Sequence, residues 1–329
     1  MTYRVGLIGA GNIGEVHARQ WALLPDAEIV GVLDPRMDAA SALGTAYSEW
    51  EALLAGAKPD IVDICVPTPL HREFVELAAA AGLAIFVEKP LGRTMADCDA
   101  IVAAVEKAGV PAMVGQVVRY FPEYAAAKRL VDASRVGKPA AVRTARMGGF
   151  PQITGRPNWY ADPLQSGGVA LDLILHDFDW LRWTFGPVTR VFAQGLWGRP
   201  EYLGTLDYAL VTLRFESGVV GHVTGSWAHP SGFRTTLEVA GDGGLIEYDS
   251  AQSVPLMSSL RQTGSSGGVA FPESPMAPAD DPYYLELAAF VQALQTNAPM
   301  PVTIYEAREA VRIALAALES IETGKVVTL

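Results

Sequence analysis

The sequence predicts an α/β chain in two parts: an N-terminal doubly wound parallel sheet, then an α+β domain with a largely antiparallel open sheet covered by helices on one face. Three observations carry this reading. Apolar runs of strand length alternate with helical stretches through the first third of the chain. The glycine-rich stretch Gly9-Ala10-Gly11-Asn12-Ile13-Gly14 sits between the first apolar run and the first helical stretch. From Arg119-Tyr120-Phe121-Pro122 the rhythm changes to strand-like segments joined by hairpin turns. At 329 residues the chain also exceeds the size at which one core usually stops growing, so two domains are expected, 1-120 and 121-329.

Composition narrows the partners. Hydrophobic residues make up 50% and charged residues 19%, a globular balance. A formal net charge of -11 argues against a nucleic-acid surface or an anionic membrane, either of which would call for a basic patch. No apolar run approaches the roughly 18 residues of a membrane span. Met1-Thr2-Tyr3-Arg4 leads into a strand without the pattern of a secretory signal. Cys65 and Cys98 form neither a disulfide framework nor a metal-ligand pattern, so the reducing cytoplasm is the expected compartment. Small molecules and other protein chains remain as partners.

Val5-Gly6-Leu7-Ile8 opens the parallel sheet, and Glu15 to Leu24 follow the glycines as a helix. A lone G-x-G-x-x-G is a weak signal, but here a strand precedes it, a helix follows, and Asp34 closes the next strand, Glu28 to Asp34. That context predicts a dinucleotide-binding Rossmann unit. Gly9 permits the tight turn, Gly11 lets the backbone approach the pyrophosphate, Gly14 allows close helix packing, and Asn12 and Ile13 start the helix whose N-terminus favours the anion. The Asp34 carboxylate suits both ribose hydroxyls and repels a 2′-phosphate. NAD is therefore the expected cofactor, and Arg36 leaves NADP open.

Ile61 to Val66 is a further buried strand, running into Pro67-Thr68-Pro69-Leu70-His71; Arg72 to Ala81 is helical and Gly82 closes it. His71, alone near a helix start, carries no chemistry by itself. Ala84 to Val87 is an all-apolar strand that ends in Glu88-Lys89-Pro90. Lys89 therefore lies at the carboxyl end of a parallel strand, where ligands of open α/β sheets collect. Thr94-Met95-Ala96-Asp97 resembles a capping box for a helix ending near Gly109, and Pro111 to Gly115 supplies another strand.

In the second half a helix, Glu123 to Ala133, precedes strands at Ala140 to Arg146 and Val188 to Leu196 and hairpins at 207–227 and 233–248. Between them, Ser166 to Trp183 reads as one buried helix with Asp172, His176 and Asp179 at i, i+4 and i+7 on a single face. Three ionisable groups on an apolar helix are costly without partners or a task. Acid–base catalysis by a histidine titrating near neutrality is the leading reading of that face; a structural hydrogen-bond network and a metal site are the others. No metal cofactor is expected, because no second histidine cluster appears. The stretch Ser258 to Pro282 reads as a long loop, and the last two helices, near 283–295 and 305–323, read as packing elements.

These motifs together resemble the glucose-fructose oxidoreductase / inositol dehydrogenase / MocA-like family of NAD(P)-dependent oxidoreductases. The likeness spans nearly the whole chain and rests on Gly9-x-Gly11-x-x-Gly14, the Pro67 to His71 turn, Glu88-Lys89-Pro90, and Gly167-Gly168 followed by Asp172-x-x-x-His176. The resemblance implies that Lys89, Asp172 and His176 are catalytic and surround the reacting carbinol. It also implies a cis Lys89–Pro90 bond and places Pro67, Thr68, His71, Glu88, Lys89 and Gln116 on the cofactor. Arg119, Trp159, Tyr160 and Tyr283, with Lys89, Asp172 and His176, are its expected substrate contacts. Pro69 departs from a position that is polar in many relatives, and Ser166 from a glycine in some.

The expected activity is hydride transfer between a nicotinamide cofactor and a secondary alcohol of a sugar, an inositol-like cyclitol or a related polyol. Two alternatives are an NAD-dependent glycosidase or epimerase cycle without net redox, and a non-catalytic dinucleotide-binding sensor. A homodimer or homotetramer through the C-terminal sheet is expected, with no nucleic-acid or membrane partner.

Overall fold

A computed structural model describes residues 2–153, 158–197, 204–230, 232–252 and 280–329. By internal packing the chain divides into two units, Met1–Phe121 with Pro278–Arg312 and Pro122–Ala277 with Ile313–Leu329. The first unit thus ends close to the expected boundary at residue 120, but it also takes in a C-terminal stretch that the sequence reading left with the second domain.

The first unit begins β1 (Tyr3–Ile8), α1 (Asn12–Trp21), β2 (Ala27–Leu33), α2 (Met37–Leu43), β3 (Ala46–Tyr47) and α3 (Trp50–Ala57). It continues with β4 (Ile61–Ile64), α4 (His71–Ala80), β5 (Ala84–Glu88), α5 (Met95–Ala108) and β6 (Ala112–Gly115). The sheet order is β3-β2-β1-β4-β5-β6, and every adjacent pair is parallel. The strand order reverses beside β1, so the crevice for a ligand opens at the carboxyl ends of β1 and β4. β4 is buried at every position and β5 at its last four, which is why these strands read as continuous apolar runs. The two-residue edge strand β3 and the helices around it gave no clear signal in the sequence. At α5 the expected cap is present: Thr94 Oγ1 accepts from the Asp97 N–H at 3.1 Å.

The second unit holds α6 (Pro122–Asp132), β7 (Pro139–Met147), α7 (Pro163–Ser166), α8 (Gly168–Asp172), α9 (Leu175–Phe185), β8 (Val188–Trp197), β9 (Leu206–Phe215), β10 (Val220–Ser226), β11 (Arg234–Gly241) and β12 (Gly244–Asp249). Its seven-stranded sheet runs β12-β11-β7-β10-β9-β8-β13, where β13 is Val327–Thr328. All pairs are antiparallel except β7–β10. Alternation fixes its faces: Ala209, Val211, Leu213 and Phe215 of β9 are buried, while Leu210 between them is 41% exposed. α8 and α9 pack on the central strands β9 and β10.

The chain closes with α10 (Pro282–Thr296) and α11 (Ile304–Thr323) before β13. α10 packs on α1 and on the short turn Val117–Tyr120, all in the first unit, and brings Leu287, Phe290 and Val291 into its core. That packing is why 282–312 leaves the second half. Of the loop expected at 258–282, residues 258–279 lie outside the described residues.

Candidate active site

The nucleotide-binding elements are those the glycine pattern predicted. Gly9 adopts φ +100, and a Cβ there would lie 2.6 Å from the Cys65 carbonyl oxygen. A Cβ on Gly14 would collide with the Gly9 carbonyl, so α1 approaches the loop more closely than any side chain allows. Gly11 caps α1 without a side-chain hydrogen bond, which leaves the first-turn N–H groups of Asn12 and Ile13 facing the turn as an anion site.

Asp34 follows β2 and is 6% exposed. Its Oδ2 accepts from the Ala10 N–H at 2.8 Å and its Oδ1 from the Arg36 N–H at 2.8 Å. The Arg36 guanidinium adds Nε to Oδ1 and Nη2 to Oδ2, each at 3.0 Å, and Nη2 also donates to the Ala10 carbonyl at 2.8 Å. Burial opposes the charged form of Asp34, but these hydrogen bonds outweigh it and hold the carboxyl below its usual range. Arg36 is thus bidentate on Asp34, and a 2′-phosphate would have to break that pair.

After β4, Pro67 leads into a single turn, Thr68–Leu70, with Thr68 buried. His71 is also buried. Its Nδ1 lies 2.8 Å from the Pro90 carbonyl and its Nε2 2.9 Å from the Val66 carbonyl, so the ring spans the ends of β4 and β5. Burial dominates and lowers its pKa, although both carbonyls pull the other way. Both ring nitrogens face main-chain carbonyls and a neutral ring donates to one of them, so His71 ties the turn to a strand end. Gln116, beyond β6, is 1% exposed, and neither its amide nitrogen nor its amide oxygen has a hydrogen-bond partner among the described residues. A buried amide in that state suits a ligand carboxamide, as nicotinamide carries. The glycine cradle, Asp34 and Gln116 together fit a dinucleotide.

Lys89 stands half-buried beyond β5, and the Lys89–Pro90 bond is cis. Glu88 points inward and is 6% exposed; its Oε2 accepts from the Lys89 N–H at 3.1 Å, and its Oε1 lies 3.1 Å from His17 Nε2 as an ion-pair contact. His17 Nδ1 is 2.9 Å from Asp63 Oδ2, which also accepts from Trp21 Nε1 at 2.7 Å. Cys65 Sγ is 3.3 Å from His17 Nδ1, and burial pushes its thiol pKa up. Glu286 of α10 is fully buried, and Tyr283 stacks obliquely on His17 at 6.0 Å. The sequence reading assigned no role to His17, Asp63 or Glu286. Asp63 was the visible signal, a carboxylate inside an otherwise apolar buried strand.

Arg119 is buried in the same unit and its Nη1 is 3.1 Å from Glu306 Oε1, next to the Pro301 carbonyl at 3.4 Å. Among the expected substrate contacts, the structure thus places Lys89, Arg119 and Tyr283 in the first unit and Trp159, Tyr160, Asp172 and His176 in the second.

In the second unit the expected single helix over 166–183 is three short ones. Gly167 and Gly168 take φ +71 and +66 between α7 and α8, and a Cβ on Gly168 would press on Leu206 at 3.0 Å. The chain leaves the helix again at Leu173–Ile174, where Ile174 packs tightly against Gly225 of β10. Asp172 therefore ends α8, while His176 and Asp179 belong to α9, and the three do not share one face of one helix. Asp172 and His176 are half-buried; Asp179 is 2% exposed. Tertiary packing sets the break, since residues 169–176 include neither glycine nor proline.

Asp177, the neighbour of His176, is fully buried and pairs with Arg146 of β7 at 2.7 Å. Arg146 Nη2 also donates to Tyr124 Oη at 3.4 Å, and Trp180 Nε1 donates to the Tyr124 carbonyl at 3.1 Å. This network fixes the first turn of α9. Trp159 and Tyr160 stack on each other with centroids 4.2 Å apart, and Ser166 Oγ donates to the Tyr160 carbonyl at 3.0 Å. Both rings are half-buried, so each retains exposed surface beyond its partner.

Residues 3–116 match the oxidoreductase-family model with an NAD-binding Rossmann fold, and residues 124–247 match the GFO/IDH/MocA C-terminal domain model. The chain is 30% identical to a myo-inositol 2-dehydrogenase of Thermotoga maritima, across 99% of this chain and 98% of the relative. This chain belongs to the GFO/IDH/MocA oxidoreductase family. It is also 31% identical to a scyllo-inositol 2-dehydrogenase (NAD(+)) of Bacillus subtilis, over 99% of this chain and 96% of that protein. Among solved structures, a myo-inositol dehydrogenase from Corynebacterium glutamicum superposes with a TM-score of 0.85 at 26% identity, covering 100% and 99% of the two chains. Family membership makes the first domain an NAD-binding unit and the protein an oxidoreductase acting on CH–OH groups. The relatives are named as dehydrogenases, which counts against the redox-neutral and sensor alternatives.

Proposed function

We propose that this enzyme oxidises a secondary alcohol of an inositol-like cyclitol, or of a related sugar or polyol, with NAD. The observation that carries the proposal is the end-to-end likeness to inositol 2-dehydrogenases in a chain that keeps a lysine after β5 and the Asp172-x-x-x-His176 pair. His176 accepts the hydroxyl proton as the carbinol gives up hydride, leaving a ketone. NAD, when bound, would supply the acceptor for that hydride. Lys89 hydrogen-bonds the oxygen and stabilises the negative charge developing on it, an effect usually worth a few kcal/mol. Asp172 orients His176 or binds a neighbouring hydroxyl, and Trp159 and Tyr160 offer apolar ring surface to a sugar or cyclitol face.

NAD is preferred over NADP because Asp34 is held ionised with Arg36 bonded to it. We place Gly9, Gly11, Asn12, Ile13 and Gly14 on the pyrophosphate and Pro67, Thr68, Lys89 and Gln116 near the nicotinamide. Glu88 and His71 act behind that surface, through the main chain of Lys89 and Pro90. Arg119 and Tyr283 line the substrate side. The enzyme works in the cytoplasm, in keeping with two free buried cysteines. It forms a homodimer or homotetramer through the outer face of the C-terminal sheet, where Leu196 and Leu210 are 66% and 41% exposed.

A panel of cyclitols, sugars and polyols followed at the NADH absorbance, with NAD and with NADP, tests this directly. Turnover of at least one cyclitol or sugar with NAD is expected. Absence of NADH production across the panel from protein that binds NAD would overturn the assignment.

A further inference from the structure

We propose that His17 is a positioning residue for Lys89: bridging Asp63 and Glu88, it fixes the Glu88 carboxylate whose other oxygen holds the Lys89 N–H. The inference rests on the reading of Lys89 as catalytic and deepens it. His17 is on α1, Asp63 on β4 and Glu88 at the end of β5, so three elements meet on one fully buried imidazole.

The distances define the linkage. His17 Nδ1 is 2.9 Å from Asp63 Oδ2, and Nε2 is 3.1 Å from Glu88 Oε1. Asp63 is itself held by Trp21 Nε1 at 2.7 Å, which leaves the imidazole a fixed partner on one side. On the other side Glu88 Oε2 accepts the Lys89 N–H at 3.1 Å, the last main-chain donor before Pro90. Gly115 makes room for this carboxylate: a Cβ there would lie 2.8 Å from Glu88 Oε1. The rings of Phe86 and Tyr283, with centroids 5.7 and 6.0 Å from the imidazole, exclude water from its edges.

His17 Nδ1 hydrogen-bonds Asp63, whereas Nε2 meets Glu88 Oε1 at 3.1 Å as a charge contact without hydrogen-bond geometry, an arrangement that suits an imidazolium between two carboxyl groups. The groups facing it are Asp63 and Cys65 from β4 and the residue after it, Glu88 from β5, and Tyr283 and Glu286 from α10. Burial alone would discharge the ring, but the charge and hydrogen bond of Asp63 outweigh it and raise the pKa well above the ordinary value. Glu286 is pushed the other way into its neutral form, by burial first and by the Glu88 charge second. The His17 cation thus lies between the Asp63 and Glu88 carboxyl groups, beside a Glu286 pushed towards its neutral form.

The test combines kinetics with two measurements that need no substrate. His17→Leu is expected to lower kcat by about 10–100-fold, since misplacing a reacting group by 1 Å can cost about 10²-fold. KM for NAD should change little, and His17→Gln, which keeps a donor towards Glu88, should recover most of the loss. In a Lys89→Met background His17→Leu should change kcat by less than about twofold, because coupled residues are not additive. An equal loss in both backgrounds overturns the proposal. If Lys89→Met alone keeps wild-type turnover, the catalytic reading of Lys89 fails instead, and the following measurements still decide the linkage. Amide exchange at Lys89 should accelerate in His17→Leu while other β5 amides stay protected; unchanged exchange at Lys89 overturns it. Should the leucine variant fail to fold, ¹⁵N NMR of the wild-type ring decides. Two protonated nitrogens are expected just above the ordinary imidazole pKa of about 6.5, and a neutral ring there contradicts the proposal.

Discussion

The two units bury charge in different ways. In the first, the His17 imidazole of α1 has Asp63, Glu88 and Glu286 around it from three other elements. In the second, Arg146 and Asp177 form a single pair at 2.7 Å beside Tyr124. The first arrangement has more acids than bases and must share or discard protons, so it responds to pH. The second sets one guanidinium against one carboxylate beside a tyrosine. The difference bears on function: the cluster borders Lys89 through its main chain, while the pair anchors the turn that carries His176.

The largest expected effect lies at Lys89 itself. Lys89→Met should lower kcat by about 10²–10⁴-fold with NAD affinity retained, measured by steady-state kinetics and NAD titration. Wild-type turnover in this variant would leave the first unit a nucleotide carrier alone.

Next comes the buried pair. Asp177→Leu removes the carboxylate paired with the buried Arg146 guanidinium and should cost about 3–5 kcal/mol of stability. A thermal melt reads this as a large drop in Tm, and recovery in the Arg146→Met, Asp177→Leu double variant would show that the loss comes from the stranded charge. A drop of the same size in both would place the damage in packing.

The pH response of the first cluster is smaller and has a defined sign. His17 and Glu286 both have folded pKa values above their unfolded ones, so the folded state binds more protons. The His17 contribution is complete below about 6.5 and is lost as pH rises through the folded value. The Glu286 contribution starts to fall above about 4.5 in the same direction. Stability should therefore decline towards alkaline pH, and Glu286→Gln should flatten that decline. A wild-type melting temperature that climbs steadily from pH 6 to pH 9 would contradict both shifts.

The smallest effect belongs to the surface. Arg72 and Glu76 pair at 2.8 Å with both side chains more than 40% exposed. Arg72→Ala should leave the melting temperature close to that of wild type. It calibrates the comparison by showing what an ion pair in water contributes.

The features legible in the sequence were those whose partners lie close along the chain. The glycine turn, Asp34 after β2 and Glu88-Lys89-Pro90 are contiguous motifs and lie on the elements expected for them, whereas Asp172 and His176, expected on one helix, fall on α8 and α9. The parallel sheet was also visible, because strands buried on both faces read as unbroken apolar runs. The His17 cluster was not, since Asp63 lies 46 residues from His17 and only the sheet order brings them together. The break at Leu173–Ile174 escaped for a related reason. Its local sequence is helix-compatible, and the interruption is set by Ile174 packing against Gly225 on a distant strand. The departure of 282–312 from the second half follows the same logic: an apolar helix does not announce which core it will join.

The central claim is that His176 moves the proton in an NAD-dependent polyol oxidation. Its most direct test is NADH formation by wild type and His176→Ala, both with bound NAD confirmed, on the polyol that wild type turns over fastest. The account predicts loss of about 10²–10⁴-fold in kcat for the variant. Turnover by folded, NAD-bound His176→Ala at the wild-type rate would contradict it.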